Sequence, residues 1–190
     1  MRHFIGKYHK YFNIYTTTFS FVIFLLFIIF VLPAESLKST ALGLEMSPDT
    51  SIFYTASRLY EIALSYGAEG RQFYIQQRFT FDLVWPIAYG LFLFTSSIYF
   101  FKYLNLHKVF FRFLWLPVLA VAFDYLENLM TALVMYRYPN QTFFFDMAAG
   151  VMTLFKWITL GLAFVMLMVW IAMYILKKIR NQKNSDTLQF

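Results

Sequence analysis

Phe19-Ser20-Phe21-Val22-Ile23-Phe24-Leu25-Leu26-Phe27-Ile28-Ile29-Phe30-Val31 is an almost unbroken apolar run without a charge. Extended to residues 14–32, it approaches the about 20 residues that a helix needs to cross the hydrocarbon of a bilayer. Three more blocks of this kind follow, over residues 81–103, 113–136 and 148–176. The last is long for one crossing, so it is expected to tilt or to project from the membrane. The first block follows a basic start, as a signal peptide does. It is longer than a signal core and no small-x-small cleavage site follows it, so it reads as a retained helix.

The composition agrees. Of 190 residues, 60% are apolar and 14% charged, with 25 Phe and 14 Tyr. The net charge of +6 raises the question of nucleic acid. No nucleic-acid partner is expected, because the basic residues fringe the apolar blocks, which is how membrane orientation is written. With no cysteine in the chain, disulfides, thiol catalysis and thiolate-bound metals are excluded.

Orientation follows from the Lys/Arg bias. Arg2, Lys7 and Lys10 precede the first span, Lys102, Lys108 and Arg112 lie between the second and third, and Lys177, Lys178, Arg180 and Lys183 follow the fourth. These regions hold one acid, Asp186. The connection between spans one and two mixes Lys38, Arg58, Arg71 and Arg78 with Glu35, Glu45, Asp49, Glu61 and Glu69. Four crossings put the basic regions on one side. A multi-pass protein of the cell membrane with both ends in the cytoplasm is expected. Tyr8, Tyr11, Phe12, Tyr99, Phe101 and Tyr103 mark the interfaces.

The first connection is too long for a simple turn. Ser47-Pro48-Asp49-Thr50 reads as a helix start, with Ser47 as N-cap and Pro48 in the first turn. Ile52, Phe53, Ala56, Leu59, Tyr60 and Ala63 then recur at helical spacing, with Arg58 and Glu61 off the stripe. Gly67 fits a C-cap. The fold class expected is therefore all-α: a four-helix transmembrane bundle with an additional amphipathic helix at residues 49–66. That helix lies on the membrane surface or over the bundle mouth, outside the cytoplasm. Residues 67–71 read as a turn. From Arg71 a helix running into span two places Arg71, Arg78, Asp82, Pro86, Tyr89 and Ser96 on one face. Arg78 and Asp82 are spaced for an ion pair, and Pro86 is expected to kink the span.

The chemistry concentrates in Phe123-Asp124-Tyr125-Leu126-Glu127-Asn128 of span three. Asp124, Glu127, Asn128 and Thr131 fall within about 100° on a helical wheel. Ala122, Leu126, Leu129 and Leu133 take the opposite face. Charges facing lipid cost at least about 2.5 kcal/mol each, so these groups face the bundle interior or a watered cavity. Lys156, in Thr153-Leu154-Phe155-Lys156-Trp157-Ile158-Thr159 of span four, is the partner within reach. The ligand-binding constellation expected is Asp82, Asp124, Glu127, Asn128 and Lys156, with Arg71, Arg78 and Tyr89 near its mouth. As a structural device, Lys156 and a carboxylate fix helix register. As a site, the group binds a membrane lipid or small apolar ligand, or moves protons in a transporter or proton-coupled subunit. The acids outnumber the in-span lysine, so at least one is expected to hold a proton. In an enzyme, Glu127 or Asp124 is the candidate general acid or base, and Lys156 stabilises negative charge. No phosphate loop, nucleophile elbow or zinc motif is present, and no cofactor or metal is expected. Asn140-Gln141-Thr142 matches the glycosylation pattern.

The order Tyr66-Gly67, Gly70-Arg71, Tyr74, Asp82, Pro86, Tyr89, Asp124 and Glu127-Asn128 resembles a small group of bacterial four-helix integral membrane proteins. The resemblance covers roughly residues 50–140 and implies topology and motif rather than a reaction. In architecture the chain is also similar to the EXPERA-type proteins, which include sterol isomerases and sterol-binding receptors. Their catalytic histidine and tryptophans have no aligned counterpart here, so that likeness concerns architecture alone.

Overall fold

The computed structural model describes residues 11–44 and 46–187. Arg2, His3, Lys7, Tyr8, His9, Lys10 and Glu45 lie outside the described residues. The first helix, α1, spans Ile14–Ala41. Asn13 starts it: its Oδ1 accepts the N–H groups of Tyr15 (2.9 Å) and Thr16 (3.1 Å), and the Thr16 hydroxyl accepts from Asn13 N–H (3.1 Å). Such a reciprocal cap satisfies amides that the first turn leaves without partners.

The expected end at residue 32 is corrected, because Pro33 does not stop the helix. A proline lacks an N–H, and its ring crowds the carbonyl four residues back. A widened π-helical turn over Phe27–Val31 makes room for it, and helix resumes over Leu32–Ala41.

The first connection also departs from expectation. Pro48–Thr50 forms only one short 3-10 turn. The amphipathic helix α2 is Ala56–Ser65, shorter than 49–66, and its N-cap is Thr55, which accepts from Arg58 N–H (3.3 Å). The reason is Tyr54, which is buried and whose carbonyl lies directly against Gly150, so the chain there runs extended. Leu59, Ile62 and Ala63 form the buried stripe, while Ile52 and Phe53 stay exposed.

Gly67, with φ +61°, takes the left-handed conformation that ends α2. The expected turn over 67–71 is instead the opening of a new helix, α3, Gly67–Arg78. After the break at Phe79-Thr80 comes α4, Phe81–Leu104, with Pro86 inside it. A 3-10 segment over Lys108–Trp115 leads into α5, Leu116–Arg137. The last helix, α6, is Phe144–Thr187. It starts before the expected residue 148 and continues past 176.

Among the described residues there is no strand, and the fold is an all-α bundle. Four helical stretches, Ile14–Ala41, Gly67–Leu104, Lys108–Arg137 and Phe144–Gln182, are long and apolar enough to cross a membrane. The protein is a multi-pass integral membrane protein. Its burial pattern is inverted accordingly. Phe30, Leu126 and Leu129 are exposed, whereas Arg78, Asp82, Asp124, Glu127, Asn128 and Lys156 are buried. Hydrocarbon solvates the first group and not the second.

Helices α5 and α6 form the tightest pair, α4 packs on both, and α1 leans on α4. The α1–α4 seam holds a buried hydroxyl pair, Ser20 and Thr95 (2.7 Å), and the rings of Phe24 and Phe92 stack at 4.8 Å. At one end α2 caps α5 and α6: Leu59, Ile62 and Ala63 pack with Val134, Met135 and Ala149. Tyr60 pins it there, accepting from Thr142 N–H (2.9 Å) and donating to Asp146 Oδ2 (3.1 Å). At the other end, Lys102 Nζ donates to the Phe12 carbonyl (3.2 Å) and Lys177 Nζ to the Tyr103 carbonyl (3.1 Å). The start of α1, the end of α4 and the basic stretch of α6 therefore share one end.

Candidate functional site

The buried charges form two linked systems. In the first, Arg78 at the end of α3 reaches across the break to Asp82 on α4, with Nη1 to Oδ2 at 3.1 Å. The same nitrogen donates to Asn128 Oδ1 on α5 (3.0 Å). Asn128 then donates through Nδ2 to Asp124 Oδ1 (3.0 Å), and the Tyr89 hydroxyl donates to Asp124 Oδ2 (2.8 Å). The Asn128 amide is thus a relay, accepting from the cation and donating to the acid. Arg78 also lies 4.2 Å over the Tyr74 ring, where a cation is attracted to the aromatic face.

In the second system, Lys156 on α6 pairs with Glu127 Oε2 on α5. Thr153 donates to Glu127 Oε1 (2.7 Å). Glu127 is 0% exposed. One turn of α5 separates Asp124 from Asn128, and Glu127 lies beside them, so a single helix face feeds both systems, as its periodicity requires.

A cavity of about 640 Å³ adjoins this network. Arg78, Asp82, Tyr89, Asp124 and Lys156 reach its wall, while Glu127 and Asn128 stand behind it. The apolar wall comes from Phe24, Ile28 and Leu32 of α1, Trp85 of α4, and Trp157 and Leu160 of α6. Helices α1 and α6 meet at Phe24 and Phe164, whose rings are 6.1 Å apart. Beyond that contact the cavity lies between them, flanked by the half-exposed Ile28 and Trp157. Ser36, Ser39, Thr40, Ser47 and Thr50 supply hydroxyls toward the α2 end.

Of the expected constellation, seven residues are brought together as described: Arg78, Asp82, Tyr89, Asp124, Glu127, Asn128 and Lys156. Arg71 does not reach the cavity. It donates to the Ala63 carbonyl (2.8 Å) and lies 4.5 Å over the Tyr138 ring, fastening α2 and α3 to the end of α5. Arg78 and Tyr89 are not at a mouth but inside the network, both buried. Glu35 and Gln77 were not expected here. Gln77 Nε2 donates to Glu35 Oε2 (3.2 Å) and to Ser39 Oγ (3.3 Å), tying the far half of α1 to α3. The available signal was the spacing of Phe24, Ile28, Leu32, Glu35 and Ser39, which continues one helix face past Pro33.

Among the described residues no group of His, Asp and Glu is arranged to hold a metal ion. The arrangement is suited to hydrogen bonding and charge recognition beside an apolar chain. For acid–base chemistry Asp82 and Asp124 are the carboxyls of the network that reach the cavity, whereas Glu127 is enclosed by Lys156 and Thr153. The fold and this network define a polytopic α-helical membrane protein with a buried ionic cluster beside a cavity. Comparison with models of known protein families, with curated proteins and with solved structures finds no match.

Proposed function

We propose that the protein binds an amphiphile drawn from the bilayer, a membrane lipid or another apolar small molecule, in the cavity between α1, α4 and α6. One observation carries this reading. A space of about 640 Å³ is lined on one side by apolar and aromatic side chains and on the other by a charged network. Ligand pockets have volumes of about 300–1,000 Å³ and combine mostly apolar walls with a few placed polar groups. In this reading the apolar part of the ligand lies along Phe24, Ile28, Trp85 and Leu160, and its head meets Arg78, Asp82, Asp124 and Lys156. The Glu127–Lys156 pair serves as a register lock, because Glu127 has no exposure to the cavity. Should the ligand be transformed as well as bound, Asp82 and Asp124 are the acid–base groups in reach.

The same proposal places the protein in the cell membrane, with both ends in the cytoplasm and α2 outside. The support is the excess of Lys and Arg at the end that Phe12, Lys102 and Lys177 share.

Protein extracted into lipid nanodiscs and analysed by mass spectrometry is expected to retain an amphiphile. Leu160→Trp, which enlarges an apolar side chain on the cavity wall and removes none of the charged groups, is expected to lose it and remain folded. Wild-type protein that retains none, or a variant that retains as much, would overturn the reading.

A further inference from the structure

Helix α1 carries two stripes that change character at different heights. Toward the cavity it presents Phe24, Ile28 and Leu32 and then, within one turn, Glu35, Ser36, Ser39 and Thr40. The stripe on its opposite side stays apolar for longer. Leu26, Phe30 and Leu37 are exposed there, Leu37 by 72%. A helix that was only leaving the hydrocarbon after Leu32 would turn polar on both sides together. Here the hydroxyls face inward at the height where a leucine still faces outward, so the polar change is directed at the cavity.

The polar stretch from Glu35 to Thr40 is short, about 8 Å at about 1.5 Å of rise per residue. Gln77 fixes what stands across from it. Its amide donates to Glu35 Oε2 (3.2 Å) and to Ser39 Oγ (3.3 Å), which brings the next residue, Arg78, and its partner Asp82 to the facing wall. A hydroxyl group both donates and accepts. One on a ligand can donate to Asp82 and accept from Arg78 while that pair stays together, and others can meet Ser36 and Thr40. A charged head must draw Arg78, Asp82 or Lys156 from a partner it already holds, and parting a buried pair is costly. Size sets a second limit. At about 30 Å³ for each group the size of a water, about 640 Å³ holds roughly twenty such groups. That matches one chain with a small head. A two-chain lipid has far more heavy atoms.

We infer that the cavity takes a single-chain amphiphile with an uncharged polyol head, a monoalkyl or monoacyl glycerol in chemical class. The inference rests on the amphiphile-binding reading above and specifies its ligand. The head lies between the hydroxyls of α1 and the Arg78–Asp82 pair, and the chain follows Ile28 and Leu160 toward Phe24 and Phe164.

The test is native mass spectrometry of the unaltered protein in a polyoxyethylene detergent, because a glycoside detergent would itself offer a polyol head. The protein is titrated with octadecylglycerol, octadecanol, octadecyl amine, octadecanoic acid and dioctadecylglycerol. Octadecylglycerol is expected to bind as one copy with a Kd lower than that of octadecanol by on the order of tenfold, the weight of two further hydrogen-bonded hydroxyls. The amine, the acid and the two-chain lipid are expected to bind more weakly than octadecylglycerol. Ser36→Ala combined with Thr40→Val removes two cavity hydroxyls, neither of which bonds another helix. It is expected to bring octadecylglycerol and octadecanol together.

Equal affinity of the unaltered protein for octadecylglycerol and octadecanol, or tighter binding of the amine or the acid, overturns the polyol head while leaving a binding cavity. Dioctadecylglycerol bound as tightly as octadecylglycerol overturns the single chain. Saturable one-copy binding of none of the five overturns the cavity reading itself. The order of affinities of the unaltered protein decides the matter even where the double variant fails to fold.

Discussion

Lys156 and Glu127 are tolerable inside a membrane only because each holds the other. Taking one partner from a buried ion pair leaves an uncompensated charge, which costs about 3–5 kcal/mol, whereas replacing both by apolar groups of similar volume is often neutral. Lys156→Met is therefore expected to lower the melting temperature in detergent sharply, and Lys156→Met combined with Glu127→Leu to restore most of the loss. Thermal unfolding followed by circular dichroism checks both, and a double variant no better than the single one would remove the pair as a stabilising unit. At Asn128 the cost has another origin. Asn128→Ala leaves Arg78 and Asp124 without the amide between them, and a buried group deprived of its partner costs about 1–3 kcal/mol. Much of this was legible from residue types alone. Mid-span carboxylates and one lysine must meet because lipid solvates none of them, and the spacing of Arg78 and Asp82 already allows a bond. The relay through Asn128 was not legible, because which amide atom faces which charge depends on how α3 meets α4 after the break at Phe79. Nor was the retreat of Arg71, which depends on where the Tyr138 ring stands. The expectation of a protonated acid counted Lys156 as the lone in-span cation, whereas Arg78 lies in the network too, two cations beside Asp82, Asp124 and Glu127.

Helix α1 is one element with two kinds of support. Up to Phe24 it is held by the Ser20–Thr95 hydroxyl pair and by stacked rings. Beyond the π-helical turn, Leu32–Ala41 has no buried residue, and Gln77 ties it to α3 through Glu35 and Ser39. This half is also one wall of the cavity. Gln77→Leu is expected to speed hydrogen exchange in residues 32–41 while residues 14–24 stay protected. A spin label on Ser36→Cys is expected to gain mobility in the same variant, and equal behaviour of the two halves would count against a hinge at Phe27–Val31. Elsewhere the fit is closer. A Cβ on Gly150 would lie 2.0 Å from the Tyr54 carbonyl oxygen, so Gly150→Ala must displace the segment that leads into α2. Overpacking of this kind costs typically about 1–3 kcal/mol, and limited proteolysis between residues 46 and 56 is expected to rise with it. The apolar blocks made the spans legible, yet the rule that a helix stops near proline misplaced the end of α1. The turn signals at Ser47-Pro48 likewise placed α2 too early. Both errors have one physical source: local preferences yield where a wider turn relieves Pro33 and where burial of Tyr54 outweighs one turn of helix.

At the scale of the whole molecule, the bundle distributes charge along its axis as well as across it. The α2 end mixes signs, with Arg58 paired to Glu61 (2.8 Å) on the exposed face of α2. The other end gathers Lys102, Lys108, Arg112, Lys177, Lys178 and Arg180. Helix α6 extends this end further: its 44 residues, at about 1.5 Å of rise each, reach well beyond the about 30 Å of hydrocarbon that a crossing requires. Lysine and arginine near span ends are retained on the cytoplasmic side, while acids contribute little to the choice. The even number of crossings and the contacts of Lys102 with Phe12 and of Lys177 with Tyr103 place the start of α1, the end of α4 and the tail of α6 together, so orientation is a single binary choice for the molecule. Because the chain has no cysteine, single-cysteine variants read that choice without background. Ser57→Cys on α2 is expected to react with an impermeant maleimide in intact cells. Gln182→Cys on α6 is expected to react only after lysis, and His107→Cys, at the same end, must follow Gln182. The inverse pattern would turn the molecule over and put the hydroxyl-bearing end of the cavity on the cytoplasmic side. That end, with its Ser and Thr hydroxyls, would then face the inner leaflet, whose headgroups are anionic.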